Sequence, residues 1–168
     1  QIFFIKRTLL IFSVLNESLK CPLITFEVMG KKSVLCGPAS SGQAAKACNN
    51  MLLATTMIGV GEAFNLGENL GLDLKKLFDV LSTSTGNCWA INTYCPIEGV
   101  GPNSPADNNF QPGFSGNLML KDLTIALKAI EQTNTTAPFG TKSQENFKRM
   151  INDNKGELDF SAIVNFNK

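Results

Sequence analysis

At 168 residues the chain has the length of one domain, enough to bury roughly two-thirds of its unfolded surface. Its 43% hydrophobic and 17% charged content is that of an ordinary globular protein, and a formal net charge of +1 leaves no electrostatic footprint for nucleic acid or a membrane surface. The absence of histidine excludes a Ser-His-Asp triad, a Cys-His pair and histidine-ligated zinc, so no metal is expected and acid–base work falls to lysine, tyrosine or carboxylates.

Residues 1–26 are assigned no structure; Lys6 and Arg7 interrupt their apolar stretch, and no targeting signal is read there. Phe26 to Met29 and Ser33 to Cys36 read as short strands flanking a turn at Gly30. From Gly42 to Leu70 apolar residues such as Met51, Met57, Ile58, Val60, Phe64 and Leu66 recur almost all round a helical wheel, the pattern of a central, buried helix. Its polar residues and Lys46 argue against a membrane span.

Gly71 then serves as a C-cap and Asp73 as an N-cap for a second helix from Leu74 to about Leu81. A turn at Ser84 to Gly86 leads to a short helix from Trp89 to Tyr94. Cys95 to Gly113, rich in proline, glycine and asparagine, is a long loop of the kind that usually carries function. Leu118, Leu123, Ala126, Leu127 and Ile130 form one stripe of a further helix, which Asn134 to Pro138 breaks. Two more helices are predicted, Thr141 to Asn152 and Asp159 to Phe166, the latter capped by Asp159. Beyond residue 40 the fold is mainly α, an all-helical domain around one long central helix.

Between Lys32 and Glu62 the only charged residue is Lys46, near the start of the apolar helix. One reading is a lysine that snorkels its ammonium to water. The other is a partly desolvated lysine, its pKa lowered toward neutrality, that exchanges a proton with a substrate hydroxyl. Asn50 lies one helical turn further on the same face, where it is either satisfied by the backbone or holds a substrate oxygen.

Gly59-Val60-Gly61 and Gly99-Val100-Gly101 do not complete G-x-G-x-x-G, so neither reads as a phosphate-binding turn. Lys121-Asp122-Leu123 reads by itself as a solvated helix edge. Trp89 and Tyr94, the only ones of their kind, read as packing residues, and the five cysteines, without a Cys-x-x-Cys pair, as reduced thiols of an intracellular protein.

Taken together, Cys36-Gly37-Pro38, Gly42-Gln43-Ala44-Ala45-Lys46 with Asn49-Asn50, Gly86 with Cys88-Trp89, Thr93-Tyr94 with Pro96, Asn108-Asn109-Phe110, Gly113-Phe114, Lys121-Asp122-Leu123 and Asp159-Phe160-Ser161 resemble the C-terminal helical domain of the β-hydroxyacid dehydrogenase family. Within it the Cys-Trp and Thr-Tyr-x-Pro segments are similar to those of the 3-hydroxyisobutyrate dehydrogenases. The resemblance covers roughly Glu27 to Ile163. It implies NAD-dependent oxidation of a 3-hydroxy acid to its semialdehyde, a step of valine breakdown. Lys46 matches the catalytic general base, Asn50 the substrate-binding asparagine, and Lys121, with Phe114 beside it, the cofactor-binding wall. It also implies a homo-oligomer, and a mitochondrial location in a eukaryote or a cytoplasmic one in a bacterium.

Where the family usually carries glycine before the helix, this chain has Ser40. The family's Rossmann domain, with its glycine fingerprint and Asp-x-Pro-Val-Ser-Gly-Gly loop, has no counterpart in these residues. The domain reading is therefore an unassigned 1–26, read as a translated non-coding stretch or mispredicted gene start, a remnant of the Rossmann domain at 27–40, and the helical domain at 41–168. The alternatives are a related semialdehyde reductase and a non-catalytic helical dimerisation module.

Overall fold

The computed structural model describes residues 2–5, 9–14, 32–111 and 113–166, which fall into two compact units, Gln1–Asn49 and Asn50–Lys168. In the first, β1 (Ile2–Ile5) pairs antiparallel with β2 (Leu9–Val14), Ile2 opposite Phe12, and β2 pairs parallel with β3 (Lys32–Pro38), Leu10 opposite Ser33. Two strands thus occupy the region that was expected to carry no assignable structure. Their runs of Ile, Leu and Phe suit a pleated surface, and pairing across the sheet supplies what no local signal did. Ser33 to Cys36 lies in β3 as predicted; the strand predicted at Phe26 to Met29 falls outside the described residues.

β3 runs into α1 (Ser41–Asn69) through a tight turn in which Gly37 has φ 120° and Ser40 φ 73°. A left-handed backbone is free for glycine, but a β-carbon at Ser40 meets the following carbonyl and costs about 1 kcal/mol. The Ser40 carbonyl accepts from Gln43 N at 3.0 Å and Ala44 N at 3.1 Å and opens the helix.

The second unit holds the rest of α1, then α2 (Leu74–Thr83), α3 (Trp89–Asn92), a 3-10 turn at Pro105–Asn108, α4 (Gly116–Thr133), α5 (Pro138–Asn152) and a 3-10 helix at Phe160–Phe166. Its core is built from Met57 and Phe64 of α1, Met119 and Leu123 of α4, Phe147 and Met150 of α5, and Phe160 and Ile163 of the last helix. Gly61 belongs to this packing: a β-carbon there would sit 2.6 Å from Val164 Cγ1, so the first Gly-x-Gly is a point of close approach within a helix. α1 departs from the all-round burial that its composition predicted, because Leu52 and Leu66 are 63% and 60% exposed. This chain supplies apolar partners to one side of α1 and leaves the other to solvent.

Helix boundaries follow the local signals closely. Asp73 caps α2 by accepting from Lys76 N at 3.0 Å. α4 begins at Gly116, ahead of its first apolar residue, because Ser115 accepts from Leu118 N. α5 begins at Pro138, since proline suits the first helical position as well as it breaks the preceding helix. The last helix is 3-10 and not α.

The loop between α3 and α4 is ordered around Asp107, whose carboxylate accepts from Gly99 N at 2.7 Å and Ser104 N at 2.8 Å. Those backbone bonds hold its carboxyl below the usual carboxylate range. Ser104 Oγ in turn donates to the Cys95 carbonyl at 2.6 Å. Among the described residues the cysteines are free, and no helix is long and apolar enough to cross a membrane.

Candidate functional site

Asn50, 7% exposed on α1, donates through Nδ2 to Asp122 Oδ2 on α4 at 2.6 Å. A carboxylate only accepts, so its partner must be the amide nitrogen, and the bond turns the Asn50 carbonyl oxygen the other way. Lys121-Asp122 is therefore not a uniformly solvated edge: Lys121 is exposed, but Asp122 is only 6% exposed. The signal was present in the sequence, because Asp122 lies three residues after Met119 and four before Ala126, both buried. Lys46 is half-buried on α1, one turn before Asn50.

Phe114 immediately precedes the Ser115 cap of α4. Its amide donates to Asp159 Oδ2 at 2.7 Å, its carbonyl accepts from Phe160 N at 2.7 Å, and its half-buried ring meets the Phe160 ring edge-on at 5.9 Å. Three of the four candidate residues thus converge on the first turns of α4: Phe114 at its entrance, Lys121 on its exposed face, and Asn50 bonded to Lys121's neighbour.

Asp159 and Tyr94 were not among the candidates. Asp159 is 1% exposed; its Oδ2 accepts from Tyr94 OH at 2.9 Å as well as from Phe114 N, and its Oδ1 from Ser161 N at 2.9 Å and Ser161 Oγ at 2.6 Å. The N-cap predicted at Asp159 is thus the smaller part of its role. Tyr94 stacks on Trp89 at 4.8 Å and on Phe160 at 5.7 Å. Burial, and then the Asp159 charge, push the Tyr94 hydroxyl well above its ordinary value of 10.0, so near neutral pH it is a hydrogen-bond donor and not a proton acceptor. That leaves lysines and carboxylates as the proton-handling types in this sequence. No cluster able to hold a metal ion occurs among the described residues.

A dinucleotide needs an aromatic or apolar wall, a cation and free amides for its pyrophosphate. Phe114 and Lys121 fit the first two needs. The first amides of α4 do not serve the third, because Gly116 N and Asn117 N each donate at 2.9 Å to the carbonyls of Leu158 and Gly156. An open cavity of about 450 Å³ against Phe64, Leu74, Phe110 and Val164 involves none of the four candidates.

The fold is that of the helical domain of hydroxy-acid dehydrogenases: a solved structure of Mycobacterium tuberculosis 3-hydroxyisobutyrate dehydrogenase with L-serine superposes with a TM-score of 0.87 at 44% identity, over 94% of this chain and 54% of that one. A Salmonella typhimurium 3-hydroxyisobutyrate dehydrogenase shares the fold at a TM-score of 0.80 and 17% identity, over 93% of this chain and 53% of that one. Residues 40–167 match the family described as NAD-binding of NADP-dependent 3-hydroxyisobutyrate dehydrogenase, and the chain belongs to that family.

Among curated relatives, the probable 3-hydroxyisobutyrate dehydrogenase of Mycobacterium tuberculosis is 49% identical over 82% of this chain and 47% of its own length. The human 3-hydroxyisobutyrate dehydrogenase, mitochondrial, is 41% identical over 92% of this chain and 44% of its own. The chain spans about half the length of the curated relatives it matches.

Proposed function

We propose that this chain forms the helical part of an NAD-dependent 3-hydroxyisobutyrate dehydrogenase, which oxidises the substrate's alcohol to methylmalonate semialdehyde. The observation that supports the reading is the buried Asn50–Asp122 bond, which joins Asn50 to the residue beside Lys121. Lys46 takes the hydroxyl proton as general base. Asn50, its amide oriented by Asp122, holds a substrate oxygen. Phe114 and Lys121 form the wall against the cofactor, and bound NAD supplies the hydride acceptor. The L-serine in the Mycobacterium tuberculosis structure is itself a 3-hydroxy acid, which supports that substrate class.

The protein is further proposed to act as a homo-oligomer, supported by the exposed Leu52, Leu66 and Leu70 on or just after α1. Its location would follow its source, the mitochondrial matrix in a eukaryote and the cytoplasm in a bacterium.

The test is turnover by the chain fused to the part of the Mycobacterium tuberculosis relative that lies outside the match. NADH formation from 3-hydroxyisobutyrate should exceed any reduction of succinic, tartronate or glyoxylic semialdehyde. The reverse preference would replace this reading with that of a semialdehyde reductase. The 168-residue chain by itself should show no micromolar binding of NAD in calorimetry, because none of its turns carries the glycine fingerprint.

A further inference from the structure

Phe114 stands on backbone that no regular element fixes. Just before it, Phe110 is held at φ 59°, a left-handed conformation that a bulky residue adopts only when its surroundings impose it. Phe110 is held from both sides: its amide donates to the Pro105 carbonyl at 2.6 Å and its carbonyl accepts from Asp159 N at 2.9 Å, while the Asp159 carboxylate receives the Phe114 amide. Asp159 thus bonds to both Phe110 and Phe114. Gly113 leaves room for this contact, since a β-carbon there would collide with the Asp159 carboxylate.

The same oxygen that accepts from Phe114 N also accepts from Tyr94 OH, in a segment the proposed mechanism does not use. Tyr94 lies in the Thr-Tyr-x-Pro segment and stacks on Trp89 of the Cys-Trp segment. A run of ring contacts, Trp89 to Tyr94 to Phe160 to Phe114, closes back on the carboxylate. Each carboxylate oxygen receives two donors, so its acceptor capacity is well used and its orientation fixed.

We infer that Asp159 is a positioning residue, which sets the place of the Phe114 wall and ties it to the Trp89–Tyr94 stack through one shared oxygen. The inference rests on the reading of Phe114 as part of the cofactor wall. Asp159 itself touches neither substrate nor cofactor; it acts through the backbone amide of Phe114.

The tie is readable without catalysis, as hydrogen exchange of the Phe114 amide in the 168-residue chain. Asp159→Ala should lower the protection of that amide at least about tenfold relative to the core amides of Met119 and Leu123, and Asp159→Asn, which keeps one acceptor oxygen, should restore part of it. Gly113→Ala keeps the carboxylate but drives a β-carbon against it, and should expose the same amide. Tyr94→Phe and Ser161→Ala should leave it protected.

In the fusion protein, Asp159→Asn and Gly113→Ala should raise the KM for NAD roughly tenfold while kcat changes less than about threefold. Unchanged protection of Phe114 in both Asp159→Ala and Gly113→Ala would overturn the inference, as would a loss shared equally by the core amides. Should Asp159→Ala fail to fold, Gly113→Ala and Asp159→Asn decide the matter by themselves. Lost protection with an unmoved KM for NAD would leave the hydrogen bond in place and reject Phe114 as cofactor wall.

Discussion

Lys46 and Asn50 stand on a regular helix whose backbone bonds are all local, so their spacing by one turn follows from the helix itself. Phe114 stands on irregular backbone, and its place depends on a carboxylate 45 residues away. The two regions fix the place of a side chain by different means. A helix positions a side chain through repetition of local bonds; an irregular turn must be held from outside, and here a buried group with several donors does so. Substitutions in the helix should therefore disturb chemistry and leave the fold, whereas substitutions around the turn should disturb geometry first.

The largest effect is expected at Lys46. Lys46→Ala in the fusion protein should lower kcat by about two to four powers of ten, the usual worth of a positioned acid–base group, with the KM for NAD little changed. Near-normal kcat at neutral pH would return Lys46 to a lysine that snorkels to water, and the helix would lose its distinction from the turn.

Asp122→Ala sits at the junction of the two regions. Removal of the acceptor from the 2.6 Å bond to Asn50 should cost about 1–3 kcal/mol in urea denaturation and raise the KM for the hydroxy acid more than that for NAD. Wild-type stability would mean that the bond orients nothing.

Lys121→Ala should raise the KM for NAD several-fold while stability stays within about 0.5 kcal/mol of wild type, as for any exposed side chain without a structural partner. Unaltered kinetics would make Lys121 a solvated lysine and confine the cofactor wall to Phe114. Ser40→Gly should raise stability by up to about 1 kcal/mol, because it relieves a side chain held at φ 73°. A loss of stability would show that the serine side chain contributes something its backbone geometry does not reveal.

The smallest effect near neutral pH concerns Tyr94, the only tyrosine of the chain. Its folded-state pKa is raised by burial and by the Asp159 charge, so the neutral hydroxyl is favoured by folding. The stability it contributes is fully present below the unfolded tyrosine value near 10 and is lost as pH rises toward the raised folded value. Absorbance titration should show tyrosinate appearing later in the folded chain than in urea. Coincident curves would break the tie between Tyr94 and Asp159.

The sequence by itself determined the helical class, the span of α1, the cap at Asp73 and the one-turn relation of Lys46 and Asn50, because each of these depends on neighbours within a few residues. The motifs also carried the family, because the order of short segments survives without any knowledge of their contacts. Only the tertiary structure decided that Asp122 faces Asn50 across 72 residues and that Asp159 gathers Tyr94 across 65 and Phe114 across 45. The helical position of Asp122 points it toward the core, but nothing local names the amide it meets there, nor the donors that a capping aspartate gathers from distant segments. The exposure of Leu52 and Leu66 was equally hidden, since a helical wheel records which residues are apolar but not how many neighbours the chain supplies to cover them.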